Sequence, residues 1–410
     1  MPKENPKPFV NHPKSVSVAV LSLFSHALYS DKTKAMGGAE RRAYYWLRML
    51  QESGFSVSAV LAHQEAVAKD FKSRLSAPWP LYEHPKYRAD GHIVRAKGAG
   101  SGLMPRLRDK FLSLLNRPLP NSTVQNAQLG TAVYKQIEAD AYVAFGLTNA
   151  SNELARFCSA QGKRFIVSIA HEVDFDFLEQ PEGKDSYDSK RELKAETLAL
   201  ATFVVAQTPA QAQTLKQIGL PSSKIRIVFN PIAALALPAQ LQGKRVLWIG
   251  KSDANKNPKA VLELSKHLPQ LEFCLIFGDD FDARQAAEFQ DQKNIQVVSG
   301  VHPNRIRPYY LDSFCLLSTA YAEGFPNTFL EAWEAGIPIA SLHVDPENLL
   351  SQNGLGFMAS GNVEALAAVL MEWAKSPAAS QEIGQRGRKY IETHHNPEQI
   401  RIQLEQMFKV

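Results

Sequence analysis

The stretch VLWIGKSDANKNPKAVLELSKHL, Val246 to Leu268, decides the fold. Its first five residues are an apolar run closed by Gly250, which predicts a short buried strand. A polar loop follows, and from about Pro258 to Leu268 the pattern changes to that of an amphipathic helix. Asn257 suits the N-cap and Pro258 the first helical position, where a missing N–H costs nothing. A buried strand feeding a helix through a short loop is one step of a parallel α/β sheet.

The same step recurs on both sides. Upstream, strands are expected at Val16 to Phe24, Val57 to Ala62, Ala141 to Gly146, Phe165 to Ala170, Phe203 to Gln207 and Ile225 to Phe229. Downstream they are expected at Phe273 to Gly278, Ile295 to Ser299, Phe314 to Ser318 and Ile337 to Leu342. Between the two sets, Asn230 to Gly243 carries Pro231, Pro238 and an Ala/Leu stretch of low complexity, which reads as a linker. The expected fold is therefore α/β, two Rossmann-like doubly wound domains facing a cleft. They span residues 1–235 and 244–384. The tail from Gln381 to Val410 is helical in pattern, and its part 385–410 is a candidate to pack back on the first domain.

Composition agrees with this division. A chain of 410 residues with 45% hydrophobic and 21% charged content supports two ordinary cores, whereas a single domain of that size is unusual. The net charge of +5 favours anionic partners without selecting among them. No basic stretch interleaved with aromatics suggests nucleic acid. Three scattered cysteines, Cys158, Cys274 and Cys315, form neither a disulfide framework nor a CxxC metal site, and a reducing, cytoplasmic setting fits them. The run Val16 to Phe24 is too short and β-branched for a signal peptide, and no apolar stretch reaches the roughly 18 residues of a membrane span.

Open α/β sheets bind ligands beyond the carboxyl ends of their strands. After the first strand, Gly37 and Gly38 precede a helix from about Ala39 to Glu52, so backbone N–H groups and a helix N-terminus are offered to a ligand. A plain strand-to-helix turn needs no more than this. Lys251 and Lys256 would flank the helix start at Pro258, two ammonium groups beside a helix dipole, suited to charge on a departing phosphate. Lysines are also the commonest solvated surface residues. After the strand Phe314 to Ser318 comes Glu323-Gly324-Phe325-Pro326-Asn327-Thr328-Phe329-Leu330-Glu331, a loop running into a short helix that Gly336 and Pro338 end. Its two carboxylates would lie at one strand edge, where carboxylates serve as acceptors for sugar hydroxyls.

Together these residues resemble the family-4 retaining glycosyltransferases of the GT-B fold. Glu323 to Glu331 has the spacing of that family's Glu-x7-Glu motif. Gly250, Lys251 and Lys256 are similar to its Gly-Arg-x4-Lys motif, with Lys in place of Arg. Gly37-Gly38-Ala39-Glu40 looks like its Gly-Gly-Ala-Glu loop, and Asn230-Pro231 falls where the family has Asn-Gly. The resemblance implies that Glu331 binds the nucleotide ribose and Glu323 the donor sugar, with the backbone of Gly324, Phe325, Pro326 and Asn327 completing the pocket. It implies that Lys251 and Lys256 hold the diphosphate and that His171, just past the strand Phe165 to Ala170, lies near the donor sugar.

The implied activity is transfer of a sugar from a UDP- or GDP-sugar to a hydroxyl of a glycan or lipid-linked acceptor, in surface polysaccharide or glycoconjugate biosynthesis. No cofactor is required and no metal is expected: Asp279-Asp280 is an adjacent pair without further ligands. Two other readings stay open, a GT-B relative that epimerises or hydrolyses a sugar nucleotide, and a non-enzymatic two-lobed ligand-binding protein. The polar insertion from Pro78 to Gln128 is where acceptor choice would lie. Within it, Leu103 to Leu115 has a basic amphipathic pattern that suits either a helix packed on its own domain or one resting on the inner face of an anionic membrane.

Overall fold

The computed structural model describes residues 16–22, 38–63, 77–88, 131–170, 174–175, 191–238, 243–278, 288–289 and 291–409. Two parallel sheets organise them. The first contains β1 (Ser17–Leu21), β2 (Ser56–His63), β3 (Leu81–Arg88), β4 (Ala141–Phe145), β5 (Arg164–Ser168), β6 (Phe203–Ala206) and β7 (Ile225–Ile227), in the order β3-β2-β1-β4-β5-β6-β7. The second contains β8 (Arg245–Gly250), β9 (Glu272–Phe277), β10 (Ile295–Ser299), β11 (Ser313–Ser318), β12 (Ile339–Ser341) and β13 (Gly356–Met358), in the order β10-β9-β8-β11-β12-β13. Both orders reverse direction beside their first strand, between β1 and β4 and between β8 and β11, which is the Rossmann pattern.

The expected strands are present; β7 and β12 are shorter than Ile225 to Phe229 and Ile337 to Leu342, and the end of Val16 to Phe24 lies outside the described residues. Two others carry too little signal to be read. β3 lies at a sheet edge with a Pro in its sequence, and β13 is three half-buried residues long. Central strands are covered on both faces, so Val20 and Val246 are fully buried, as parallel sheets require.

Helices cover both sheets. In the first lobe they include α1 (Gly38–Glu52), α2 (Asn149–Ala160), α3 (Arg191–Leu200) and α4 (Pro209–Gln217). In the second they include α5 (Pro258–His267), α6 (Arg307–Leu311), α7 (Asn327–Glu334), α8 (Val363–Lys375) and α9 (Pro377–His394). The helical tail breaks after α9, and α10 (Pro397–Lys409) crosses back to the first lobe. Ile400, Leu404, Met407 and Phe408 join the core formed by Trp46, Leu47, Leu50 and Phe55, and Arg164 Nη1 donates to the Phe408 carbonyl at 2.9 Å.

The chain passes between lobes at two places that are bonded to each other. His395 Nδ1 donates to the Asn230 carbonyl at 2.7 Å, and Ile232 N–H donates to the His395 carbonyl at 3.0 Å. Beyond Ile232 the linker lies along the second lobe: Leu235 N–H donates to Glu334 at 3.1 Å, and Arg388 and Arg307 donate to the carbonyls of Leu235 and Ala236.

Candidate functional site

A cavity of about 570 Å³ opens where the carboxyl edges of the two sheets meet. The first lobe contributes Gly38 to Arg42, Phe145, Ala170, Gln207 and Asn230; the second contributes the loops after β8, β9, β10 and β11. The N-termini of α1 and α7 converge on it, and Lys256, two residues ahead of α5, lines it too. Unpaired N–H groups and aligned peptide dipoles make such ends attractive to anions.

The loop after β8 is shaped from within. A Cβ at Gly250 would fall 2.7 Å from the Trp248 indole, so the glycine is demanded by packing rather than by a ligand. Trp248 Nε1 donates to Thr319 Oγ1 at 2.9 Å, and that hydroxyl donates to the Lys256 carbonyl at 2.7 Å. Asn255 is clamped to the neighbouring loop: its Nδ2 donates to the Ala322 carbonyl at 2.9 Å, and its Oδ1 accepts from Ala322 N–H at 3.1 Å. Asn257 occupies the N-cap of α5, yet its side chain makes no cap bond and its backbone is left-handed, φ 48°. The turn is held instead by Asp253, whose carboxylate accepts from Lys256 N–H at 2.8 Å.

This clamp brings Lys256 against Glu323, and the two form an ion pair on the cavity wall. Lys251 also lines the cavity but is exposed. Gly324, Phe325, Pro326 and Asn327 lead into α7, with Asn327 Oδ1 accepting from Asn230 Nδ2 of the first lobe at 3.2 Å. Gly38 approaches the same Asn327 so closely that a Cβ would lie 3.0 Å from its Nδ2. Helix α1 therefore starts with glycine because α7 starts opposite it.

Glu331, one turn into α7, is buried to 9% exposure. Its Oε2 accepts from the Tyr310 hydroxyl at 2.6 Å, and its other oxygen pairs with Arg41 from the first lobe. Burial opposes the charge on Arg41, but Glu331 and then Tyr45 beside it hold the guanidinium above its ordinary value. Burial first, and the Glu331 carboxylate second, push the Tyr310 hydroxyl well above the usual range, so it stays a donor. Arg42 turns inward, donating to the Val228 carbonyl at 2.6 Å and the Ile169 carbonyl at 3.4 Å, and burial pushes it down to about 9.

The cavity thus gathers Gly38, Lys251, Lys256, Glu323, Gly324, Phe325, Pro326, Asn327 and Glu331. Gly37, His171, Asp279, Asp280 and the segment Leu103 to Leu115 lie outside the described residues. Asp174 accepts from Leu147 N–H at 2.9 Å and from Ala170 N–H at 2.7 Å. Four lining or supporting features were not legible in advance. They are Arg41, Tyr310, His395 and the loop Gly300 to Ile306, none of which the sequence pattern singles out. For the last, a glycine ending a strand followed by Pro303 was a usable signal. Among the described residues no helix is long and apolar enough to cross a membrane, and no group of three His, Cys, Asp or Glu is placed to hold a metal ion.

Residues 236–390 match the family model described as glycosyl transferases, group 1. No curated protein sequence matches the chain. Among solved structures it is similar to sucrose-phosphate synthase from Thermosynechococcus elongatus, with a TM-score of 0.72, 13% identity, and coverage of 96% of this chain and 98% of that one. TarM from S. aureus, solved as a variant with fondaparinux, alpha-GlcNAc-glycerol and UDP, gives a TM-score of 0.70 at 11% identity, covering 96% of this chain and 100% of that one. Anabaena HepE, solved with UDP-glucose, gives 0.66 at 13% identity, covering 96% and 99%. The fold is that of the GT-B glycosyltransferases. Residues 236–390 are thus similar to a group 1 glycosyl transferase domain, set within a fold shared with glycosyltransferases.

Proposed function

We propose that this enzyme is a family-4 retaining glycosyltransferase that moves a sugar from a UDP- or GDP-sugar to a hydroxyl of a glycan or lipid-linked acceptor. The observation that carries this reading is the convergence on one cavity of two helix N-termini, the Lys256–Glu323 pair and the buried carboxylate of Glu331. The first supplies positive potential for a diphosphate; the last suits ribose hydroxyls. HepE and TarM were solved with UDP-glucose and UDP, which favours uridine among the bases.

In this reading residues 244–384 hold the donor and residues 1–235 face the acceptor. Glu331 binds the ribose, Lys251, Lys256 and the backbone at Gly37 and Gly38 take the diphosphate, and Glu323 with Gly324 to Asn327 holds the sugar. His171 lies by the reacting carbon. The anomeric carbon's bond to the phosphate oxygen breaks with its electrons passing to the diphosphate. The acceptor oxygen bonds to the same face, and its proton leaves with the phosphate oxygen. Lys256 and the helix dipoles stabilise the charge that grows on the leaving group, which is the interaction that strengthens in the transition state. No metal is assigned to this step. The setting is the cytoplasm or the inner face of a membrane, where surface polysaccharides and glycoconjugates are assembled.

A thermal-shift screen with UDP, GDP, ADP and their sugars tests the reading. One base should raise Tm, since a ligand present at 100 times its Kd stabilises the fold by about 2.7 kcal/mol. Absence of a shift with every nucleotide overturns it.

A further inference from the structure

Glu331 is the residue to which the proposed function gives the ribose, and what surrounds it was not foreseen. A carboxylate offers about four lone-pair directions. Tyr310 uses one from inside the second lobe, and Arg41 engages the other oxygen from the opposite lobe. Both partners are well shielded: the Tyr310 ring is fully buried, and the Arg41 and Glu331 side chains are 19% and 11% exposed. Arg41 and Glu331 both stand at the cavity wall.

Without Arg41 the Glu331 carboxylate would be held at one oxygen only, by Tyr310. Tyr310 alone supplies a hydrogen bond but no charge. Arg41 Nη2 adds the charge at the other oxygen, so the carboxylate is held from both lobes at once. We propose that Arg41 is a positioning residue for nucleotide recognition. It reaches across the cleft to hold the Glu331 carboxylate oriented toward the ribose, so that ribose selectivity depends on a residue of the opposite lobe. This inference rests on Glu331 being the ribose ligand.

The consequence is specific to one hydroxyl pair. Loss of Arg41 should erode recognition of the ribose while the diphosphate contacts persist. The test is the affinity of the full-length enzyme for UDP and for 2′-deoxy-UDP, with GDP and 2′-deoxy-GDP in parallel, measured for the wild type, Arg41→Ala, Arg41→Gln and Arg41→Lys. Thermal unfolding serves as the control for folding. The wild type should prefer the ribonucleotide by roughly tenfold or more, the range for hydrogen bonds to a charged group. In Arg41→Ala and Arg41→Gln that preference should shrink to about threefold or less. Arg41→Lys, which keeps the charge without the fork, should fall between. Donor KM should rise more than kcat falls. Should Arg41→Ala not fold, Arg41→Gln carries the comparison. Unchanged preference in the folded variants overturns the role of Arg41 and leaves the ribose reading intact. A wild type that does not distinguish ribo- from deoxynucleotide, or an equal preference in Glu331→Gln, overturns the ribose reading itself and this inference with it.

Discussion

Gly387 of α9 lies flat against the indole of Trp333 in α7: a side-chain carbon at this position would stand 2.6 Å from Trp333 Cγ, nearer than side chains pack. Trp333 is itself fully buried and donates from Nε1 to the Leu355 carbonyl at 2.9 Å, so it has nowhere to turn. One turn earlier, Gly384 meets the backbone at Gly336 and Ile337 in the same way. Replacing glycine by alanine within a helix gains about 1 kcal/mol in propensity. Overpacking a rigid core costs about 1–3 kcal/mol or more, and here it wins. Gly387→Ala and Gly384→Ala should each lower stability by about 2 kcal/mol, read as an earlier midpoint in chemical denaturation. Gly384→Ala should be the worse of the two, since backbone cannot rotate away.

Lys256 faces Glu323 on the cavity wall and lies ahead of α5, so its charge is aimed at the departing phosphate in the proposed reaction. Lys256→Ala should reduce kcat by about a hundredfold or more, the scale for removing one preorganised charge-stabilising group. Lys256→Arg should restore part of it. Steady-state kinetics on the donor identified by thermal shift measures both, and a near wild-type kcat for the alanine variant would remove Lys256 from the chemistry.

His395 is fully buried at the crossing between lobes, ringed by Phe229, Phe325 and Tyr390. Burial pushes its pKa down from 6.5 to about 4, against the pull of its bond to the Asn230 carbonyl. The folded state therefore binds fewer protons than the unfolded one below pH 6.5. The neutral ring's contribution is complete above that pH and is lost progressively between pH 6.5 and 4. At 1.36 kcal/mol per pH unit the loss is about 3 kcal/mol. His395→Asn, which keeps a donor for Asn230 without titrating, should flatten this part of the stability profile. Urea unfolding at a series of pH values reads the slope.

Helix α10 contributes Phe408 to the first-lobe core, edge-on to Phe55 at 6.2 Å between centroids. Phe408→Ala leaves a cavity there and should cost about 3–5 kcal/mol. Because the partners lie in the first lobe, hydrogen exchange should accelerate in α1 and β2 while β8 and β11 stay protected. Uniform loss of protection in both lobes would show that the contact serves the whole molecule instead.

Periodicity and turn chemistry made the central strands legible, because strands buried on both faces must be written as apolar runs. They failed where tertiary pairing replaces hydrophobicity: β3 is a polar edge strand and β13 three residues beside β12. The candidate site was legible as far as its loops follow strands, which is why Lys256, Glu323 and Glu331 fall together. Arg41 was not, since an arginine on an amphipathic helix has the same pattern whether it meets water or a carboxylate of another lobe. Asn257 shows a subtler limit. Its position at the helix start was correct, but its side chain makes no cap bond, and Asp253 holds only the turn before the helix.

The return of α10 to the first lobe also fixes an order of events during synthesis. N-terminal domains ordinarily fold as soon as they leave the ribosome. Here Leu47, Leu50 and Phe55 wait for Leu404 and Phe408, which are made only after the entire second lobe. The nascent first lobe emerges with an apolar face uncovered for as long as about 180 residues take to add, roughly 10–40 s at 5–20 residues per second. The face closes only once α10 has been made.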